Sequence, residues 1–337
     1  MGDAMTRIFL QTTVRKAIRD MKDSPERSSR NLLDMALEFA EGRFQQNLFR
    51  EIRGMLNNNS SAYYSLVKNI VQHVDEDRLL TFGMNVGYNS CTAGAQKIRT
   101  IEAKEHYNIP WTLCLQMGKE NQPELLEKYC RLIDQGEYLG IYNWLLVSKG
   151  NALDCIELAA AFPNSAFTVF CESGEITWPL IDYASEQNNI MLAVPMGEDA
   201  AVTCDLLREA GLLYSVYMFY DDWDLPGIQN GDVFCEMEQL HPAFSAFLPK
   251  NSCTGKAREA AYQAILRARM EQEYATILWD LHRDHLTVDK IISEDGCWAG
   301  FDSRGRFYNI TDSGELLWEG SVEEPLEELL KRTFPKE

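Results

Sequence analysis

The sequence predicts an α/β protein built on a parallel sheet, with a helical extension before the sheet and a turn-rich segment after it. Three observations predict this. From Ile109 onward, short apolar runs alternate with helical patterns. The runs are apolar on both faces, as in strands buried between layers of helices. Before Ile109 the pattern is helical throughout, and after about residue 285 Gly and Asp punctuate short strand-like runs. Alternation of this kind implies parallel strands joined by right-handed crossovers. Six such units form an open doubly wound sheet or a partial barrel, and the pattern does not choose between them.

The helical extension covers 1–106. A first helix over 7–22 ends near Ser24-Pro25. A second over 29–41 carries Leu32, Leu33, Met35, Ala36 and Phe39 on one face. Gly42 separates it from a third over 44–56. Asn57-Asn58-Asn59-Ser60-Ser61 is a loop that ends in an N-cap for 62–73. Helices over 75–85 and 93–106 complete this part. The sheet region covers 107–285. Strands are expected at 109–116, where Pro110 fits a strand start, then at 139–147, 166–171, 189–196, 212–220 and about 274–280. Helices are expected at 123–137, 152–162, 177–187, 199–210 and 255–273. The tail, 286–337, reads as strand, turn, strand through Ser293–Ile310. Asp312-Ser313-Gly314 offers a further turn before Leu316-Leu317-Trp318, and a last helix runs over 323–332.

The 337 residues are 45% apolar and 25% charged, ordinary globular material. The net charge of −19 opposes nucleic acid and anionic membranes as partners. No run approaches the roughly 20 apolar residues of a membrane span, and no signal peptide is predicted. Nine cysteines contain no C-x-x-C pair, and several sit in apolar runs. They read as reduced thiols in a cytoplasmic protein.

In parallel β/α folds, function gathers at the C-terminal ends of the strands. Lys149 follows the second strand, Glu172 the third, and Asp221, Asp222 and Asp224 the fifth. If the acids converge they offer an oxygen-rich site for Mg²⁺ or Mn²⁺; if not, they are a solvated acidic loop. Lys149 is either a Schiff-base nucleophile or an ordinary ion-paired lysine. Tyr142, Trp144 and Tyr217 lie in or beside the second and fifth strands. They form either a cleft for a peptide or small molecule in the barrel mouth or an aromatic core. His282 and His285 share a helix face at spacing three, but no third zinc ligand stands near, and no metal is expected. There is no G-x-S-x-G, P-loop or G-x-G-x-x-G.

Several stretches resemble a known family. They are Asn58-Asn59-Ser60-Ser61-Ala62-Tyr63-Tyr64, Tyr107-Asn108-Ile109-Pro110-Trp111, Pro163-Asn164-Ser165-Ala166-Phe167, and Gly296-Cys297-Trp298-Ala299-Gly300 with Asp302 and Gly305. Together they are similar to the radical S-adenosylmethionine (radical SAM) proteins of anaerobic bacteria, in the subgroup with a helical N-terminal extension and a SPASM-like tail. The resemblance covers about three quarters of the chain and implies a partial (βα)6 TIM-like barrel. It also implies chemistry that the residues lack. The family's C-x-x-x-C-x-x-C would follow the first strand and bind an iron–sulfur cluster. Here Gln116-Met117-Gly118-Lys119-Glu120-Asn121-Gln122 leads directly into the next helix. The G-G-E-P that holds the cofactor's ammonium is replaced by Ser148-Lys149-Gly150-Asn151, and the fourth strand ends Val194-Pro195-Met196-Gly197. Tyr308-Asn309-Ile310 stands where the tail would supply a second cysteine.

The reading is a degenerate radical-SAM-like protein: non-catalytic, without iron–sulfur cluster or cofactor. It binds a peptide, an active homologue or another protein partner, or a small molecule in the barrel mouth. Two other readings stay open. One is a repurposed metal-dependent enzyme using the acidic strand ends. The other is a radical SAM enzyme whose cluster ligands lie outside the usual motif.

Overall fold

A computed structural model describes residues 2–38, 53–54, 57–118, 123–311 and 314–336, without the side chains of residues 2–6 and 38. Most of the helix expected over 44–56, the segment Lys119-Glu120-Asn121-Gln122 and the pair Asp312-Ser313 lie outside the described residues.

The extension contains α1 (Gly2–Met21), α2 (Pro25–Glu38), α3 (Tyr63–His73), α4 (Glu76–Met84), a π-helical segment (Asn85–Gly94) and α5 (Ala95–Glu105). Asp75 caps α4 by accepting from the backbone N–H groups of Asp77 and Arg78. Ile18, Met21, Val71, Leu80 and Met84 form a small apolar core among these helices. Gly94 ends the π-helical segment where a Cβ would stand 2.5 Å from the Gly140 carbonyl, so only glycine allows this approach to the barrel.

Seven parallel strands follow: β1 (Thr112–Met117), β2 (Asn143–Ser148), β3 (Ala166–Phe170), β4 (Ile190–Pro195), β5 (Tyr214–Tyr220), β6 (Phe244–Pro249) and β7 (Ile277–Asp280). The connecting helices are α6 (Pro123–Leu139), α7 (Ala152–Ala160), α8 (Trp178–Ser185), α9 (Ala200–Glu209), α10 (Leu225–Asn230), α11 (Asp232–Glu238), α12 (Gly255–Glu271) and α13 (Leu281–Ser293). The tail adds β8 (Ala299–Phe301), β9 (Arg306–Ile310), β10 (Leu316–Ser321) and α14 (Leu326–Thr333). Strand β8 pairs in parallel with β1, and β9 and β10 follow antiparallel, giving the order β10-β9-β8-β1-β2-β3-β4-β5-β6-β7.

The α/β fold class with a helical extension and a hairpin tail is as expected, but the strand count differs. The run taken as the sixth strand is the seventh, because β6 lies between. Its sequence, Phe244-Ser245-Ala246-Phe247-Leu248-Pro249, mixes small, polar and Pro residues, and its Ser245 hydroxyl is bonded to Thr276 at 2.9 Å.

Alternation along each strand divides two cores. Leu113, Leu115, Trp144, Leu146, Phe167, Val169, Leu192, Val194, Val216 and Phe247 face the helices. Cys114, Leu145, Phe170, Ala193, Tyr217 and Ala246 form a second cluster with Leu286 and Trp298. Six strands contribute to that one cluster, so the sheet curls around it as a barrel. Strands β7 and β8 do not pair, and the barrel stays open. Helix α13 spans the gap. Its Leu286 joins the inner cluster, and its buried Asp289 accepts from the backbone N–H of Trp111 at 2.6 Å, just ahead of β1. The helix passes through residue 285, where the sequence places a domain boundary.

Helices α3 and α4 cover the floor of the barrel. Ile70, Val74, Leu79 and Phe82 pack on Met191, Leu213 and Ala243, all near the N-terminal ends of strands. Arg78 locks this contact. Its guanidinium donates to the carbonyls of Gly211 (2.7 Å), Ser185 (3.0 Å), Gln187 (3.2 Å) and Ala184 (3.5 Å), at the ends of α8 and α9. A cation among the last carbonyls of two helices also meets the negative end of each helix dipole.

Candidate functional site: barrel mouth and floor chamber

At the mouth, the C-terminal ends of the strands bring some expected residues together and hold others apart. Lys149 follows β2 and Glu172 follows β3; their charged atoms are 4.0 Å apart, and both side chains are about half exposed. A partly solvated lysine beside a carboxylate is an ion-pair partner. The three aspartates after β5 are each engaged locally. Asp221 accepts from Lys250 at 2.9 Å and from the Trp223 N–H at 3.0 Å. Asp222 accepts from both the N–H and the hydroxyl of Thr254 at 2.8 Å, fixing the start of α12. Asp224 accepts from the Asp221 N–H at 2.9 Å. Hydrogen bonds hold the Asp221 and Asp222 carboxyls below their ordinary range, from Lys250 and from Thr254 respectively. Among the described residues, no three His, Cys, Asp or Glu side chains gather as a metal site. Millimolar Mn²⁺ is therefore expected to leave the melting temperature unchanged, because ligand binding to the native state alone would raise it. A rise of several degrees that vanishes in Asp222→Asn would show a cation site at the mouth.

One carboxylate at the mouth escaped the sequence reading. Glu175 lies in the loop after β3, yet it accepts from the Ser148 hydroxyl at 2.5 Å, the Ala152 N–H at 3.1 Å and the Glu172 N–H. It thus occupies the start of α7, beside Ser148-Lys149-Gly150-Asn151, where the resemblance implies a protein carboxylate that holds the cofactor's ammonium. Its oxygens are already used within the chain.

Two expected cleft residues are placed elsewhere. Trp144 is fully buried and points outward, its ring packed where a Gly136 side chain on α6 would sit, 2.5 Å from any Cβ. Tyr142 precedes β2 at the opposite end of the barrel, beside Arg7, Tyr88 and Glu137. Both faces of β2 are apolar, so the sequence carries no sign of which one turns inward. Tyr217 does face inward. Its hydroxyl donates to the Cys171 carbonyl at 2.8 Å, and its ring meets Phe170 and Phe219 edge-on at 5.2 and 5.8 Å.

These rings fill the inner C-terminal half of the barrel. Val147, Phe170, Tyr217 and Leu248 pack with Trp298 and Ile310 from the tail. Cys114, in β1 beneath them, is the cysteine nearest the expected cluster position. Burial pushes its thiol up to about 11, against smaller opposing effects of the Tyr308 hydroxyl and Lys149. No cysteine occurs between Cys114 in β1 and Cys130 in α6.

The floor half is different. Between the inner strand faces and the capping helices lies a chamber of about 270 Å³. Thr168, Met191, Ser215, Ala246 and Trp279 contribute from β3 to β7, and Trp111 and His285 close one side. His282 and His285 do share α13, as expected, but not as metal ligands. His285 is ringed by Trp298, Trp111 and Trp279 at centroid distances of 4.9, 5.7 and 5.7 Å, and His282 also lies against Trp298. His285 Nδ1 stands 2.6 Å from the Leu281 carbonyl, which can only accept, and 3.2 Å from the Trp279 indole N–H, which can only donate, so the two contacts call for opposite tautomers. The indole N–H of Trp111 is buried without a hydrogen-bond partner among the described residues. These tryptophans are far apart in sequence, so only the inward phase of Thr168 and Ser215 hinted at a polar lining.

No family model and no curated protein matches this chain. Among solved structures it is similar to SuiB of Streptococcus suis bound to S-adenosylmethionine, at 10% identity and a TM-score of 0.48, over 70% of this chain and 66% of that one. SuiB bound to the precursor peptide SuiA gives 9% identity and a TM-score of 0.49, over 70% and 67%. A member of the enolase superfamily from Listeria innocua gives 11% identity and a TM-score of 0.34, over 96% and 81%. This chain thus spans about two thirds of the SuiB chain. Likeness of this degree assigns neither family nor activity.

Proposed function

We propose that this protein is a radical-SAM-like barrel that binds a partner instead of performing radical chemistry, and that it carries no iron–sulfur cluster. The observation that supports this best is the filled inner C-terminal half, where Phe170, Tyr217 and Trp298 occupy the space a cofactor would need. The five residues 118–122 between β1 and α6 contain no cysteine, and Glu175 is already satisfied within the chain. The rim of the mouth instead suits a partner. Trp178, Phe219 and Trp223 are 58%, 50% and 92% exposed there, beside Glu172 and Asp222. Exposed aromatic side chains on an acidic surface favour an extended cationic peptide with apolar anchors.

Anaerobic reconstitution with iron and sulfide tests the first half of this reading. The expected result is a colourless protein with well under one iron per chain, and no saturable binding of S-adenosylmethionine by calorimetry. About four irons per chain with a broad visible band would mark a [4Fe–4S] protein and overturn it.

A further inference from the structure

We propose that the floor chamber is a binding site for a small, flat, neutral aromatic molecule carrying one hydrogen-bonding group. This goes beyond the partner reading, since that reading concerns the mouth and the chamber lies at the other end of the barrel.

Size comes first. An engineered apolar cavity of about 150 Å³ takes up benzene. A chamber of about 270 Å³ therefore suits about ten non-hydrogen atoms, the size of a bicyclic aromatic. Shape follows from the walls. Trp111, Phe170 and Trp279 line the chamber with rings, which favour a flat guest in edge or offset contact. Charge follows from the lining too. Asn143, Thr168, Ser215 and His285 are its polar side chains, and none is an acid or a lysine or arginine. The Asn143 amide is already bonded to Thr112 at 2.7 Å, which leaves the two hydroxyls to choose a polar atom on the guest. Second, the lining itself signals an unfilled role. Trp111 is 7% exposed, and its indole N–H has no partner among the described residues. Buried donors are normally satisfied, so an acceptor atom on a guest would complete this one.

Access is from the floor. Phe82, Val86 and Cys91 of the extension and Ile291 of α13 border the chamber, and Ile291 is 43% exposed. The packed cluster of Phe170, Tyr217 and Trp298 separates the chamber from the mouth. A guest therefore does not compete with whatever binds at the mouth.

Calorimetric titration of the full chain with quinoline, neutral at pH 7.5 and carrying one acceptor nitrogen, and with naphthalene as the isostere lacking it, tests this. Quinoline is expected to bind one to one with a dissociation constant on the order of tens of micromolar, several times more tightly than naphthalene, because its nitrogen can accept from the Trp111 indole N–H or a wall hydroxyl. Ala246→Phe places a ring in the chamber from β6. It is expected to weaken quinoline at least about tenfold while keeping or raising the melting temperature. Should that variant not fold, Ser215→Met fills the same space from β5. Val202→Ala, on the exposed face of α9, is expected to leave quinoline binding unchanged. No saturable binding to the wild type, equal binding to a folded filled variant, or equal affinity for naphthalene would overturn the proposal. None of these results depends on whether the protein holds iron.

Discussion

Arg78→Ala is expected to lower the stability of the protein by about 3 kcal/mol or more, one of the largest single-site losses outside the barrel core. The side chain is 2% exposed and donates to four carbonyls. Hydrogen bonds from charged groups contribute ~1.5–3 kcal/mol in mutational series, and removing the donor strands buried acceptors. Those acceptors close α8 and α9, so the loss also loosens the seat of the extension on the floor. Burial pulls the guanidinium below its usual range, yet it stays protonated at any ordinary pH. Arg78→Lys keeps the charge but replaces a planar fork with a point, so it should recover only part of the loss. Urea denaturation reads both variants. A loss below about 1 kcal/mol in Arg78→Ala would mean that the extension is not held through this residue.

Arg78 also shows what the sequence could and could not convey. The helix that carries it was legible as the helical stretch 75–85. Its role was not, since all four acceptors come from residues more than a hundred positions away. The same holds across the barrel. Strands β1 to β5 announce themselves as continuous apolar runs. Strand β6 does not, because its inward Ala246 and its Ser245 are small or polar where strands usually carry branched side chains. The alternation that defines a strand also leaves its phase open when both faces are buried. Trp144 and Tyr217 therefore looked equivalent, yet one packs under α6 and the other fills the inner cluster. The packing of Phe170 and Tyr217 against the tail was not legible, because Trp298 and Ile310 arrive from beyond residue 290.

The steepest acid dependence of stability should trace to His285, in a direction opposite to that of the buried aspartates. Burial among three tryptophans pushes its imidazole down to about 4, with the Leu281 carbonyl pulling slightly the other way. An unfolded histidine titrates near 6.5. Between those values the unfolded chain binds a proton that the folded chain refuses, so acidification favours unfolding. At 1.36 kcal/mol per unit, this amounts to about 3 kcal/mol between pH 6.5 and 4. Asp280 works against it. Burial raises that carboxyl to about 6, so the folded chain keeps a proton the unfolded chain has lost, and acidification over about pH 6 to 4 favours folding. Asp289, one turn after His285 and fully buried, is shifted in the same sense as Asp280. The wild-type profile is thus a difference between opposing groups and can look flat. Comparison with His285→Gln isolates one of them, since glutamine can still donate to the Leu281 carbonyl and does not titrate. Relative to the variant, the wild type should lose about 2–3 kcal/mol on going from pH 7 to about pH 4.5. Any constant cost of the substitution shifts the two curves without changing their separation with pH. Parallel curves over that range would show that His285 titrates normally, and hence that water or a charge reaches the chamber wall.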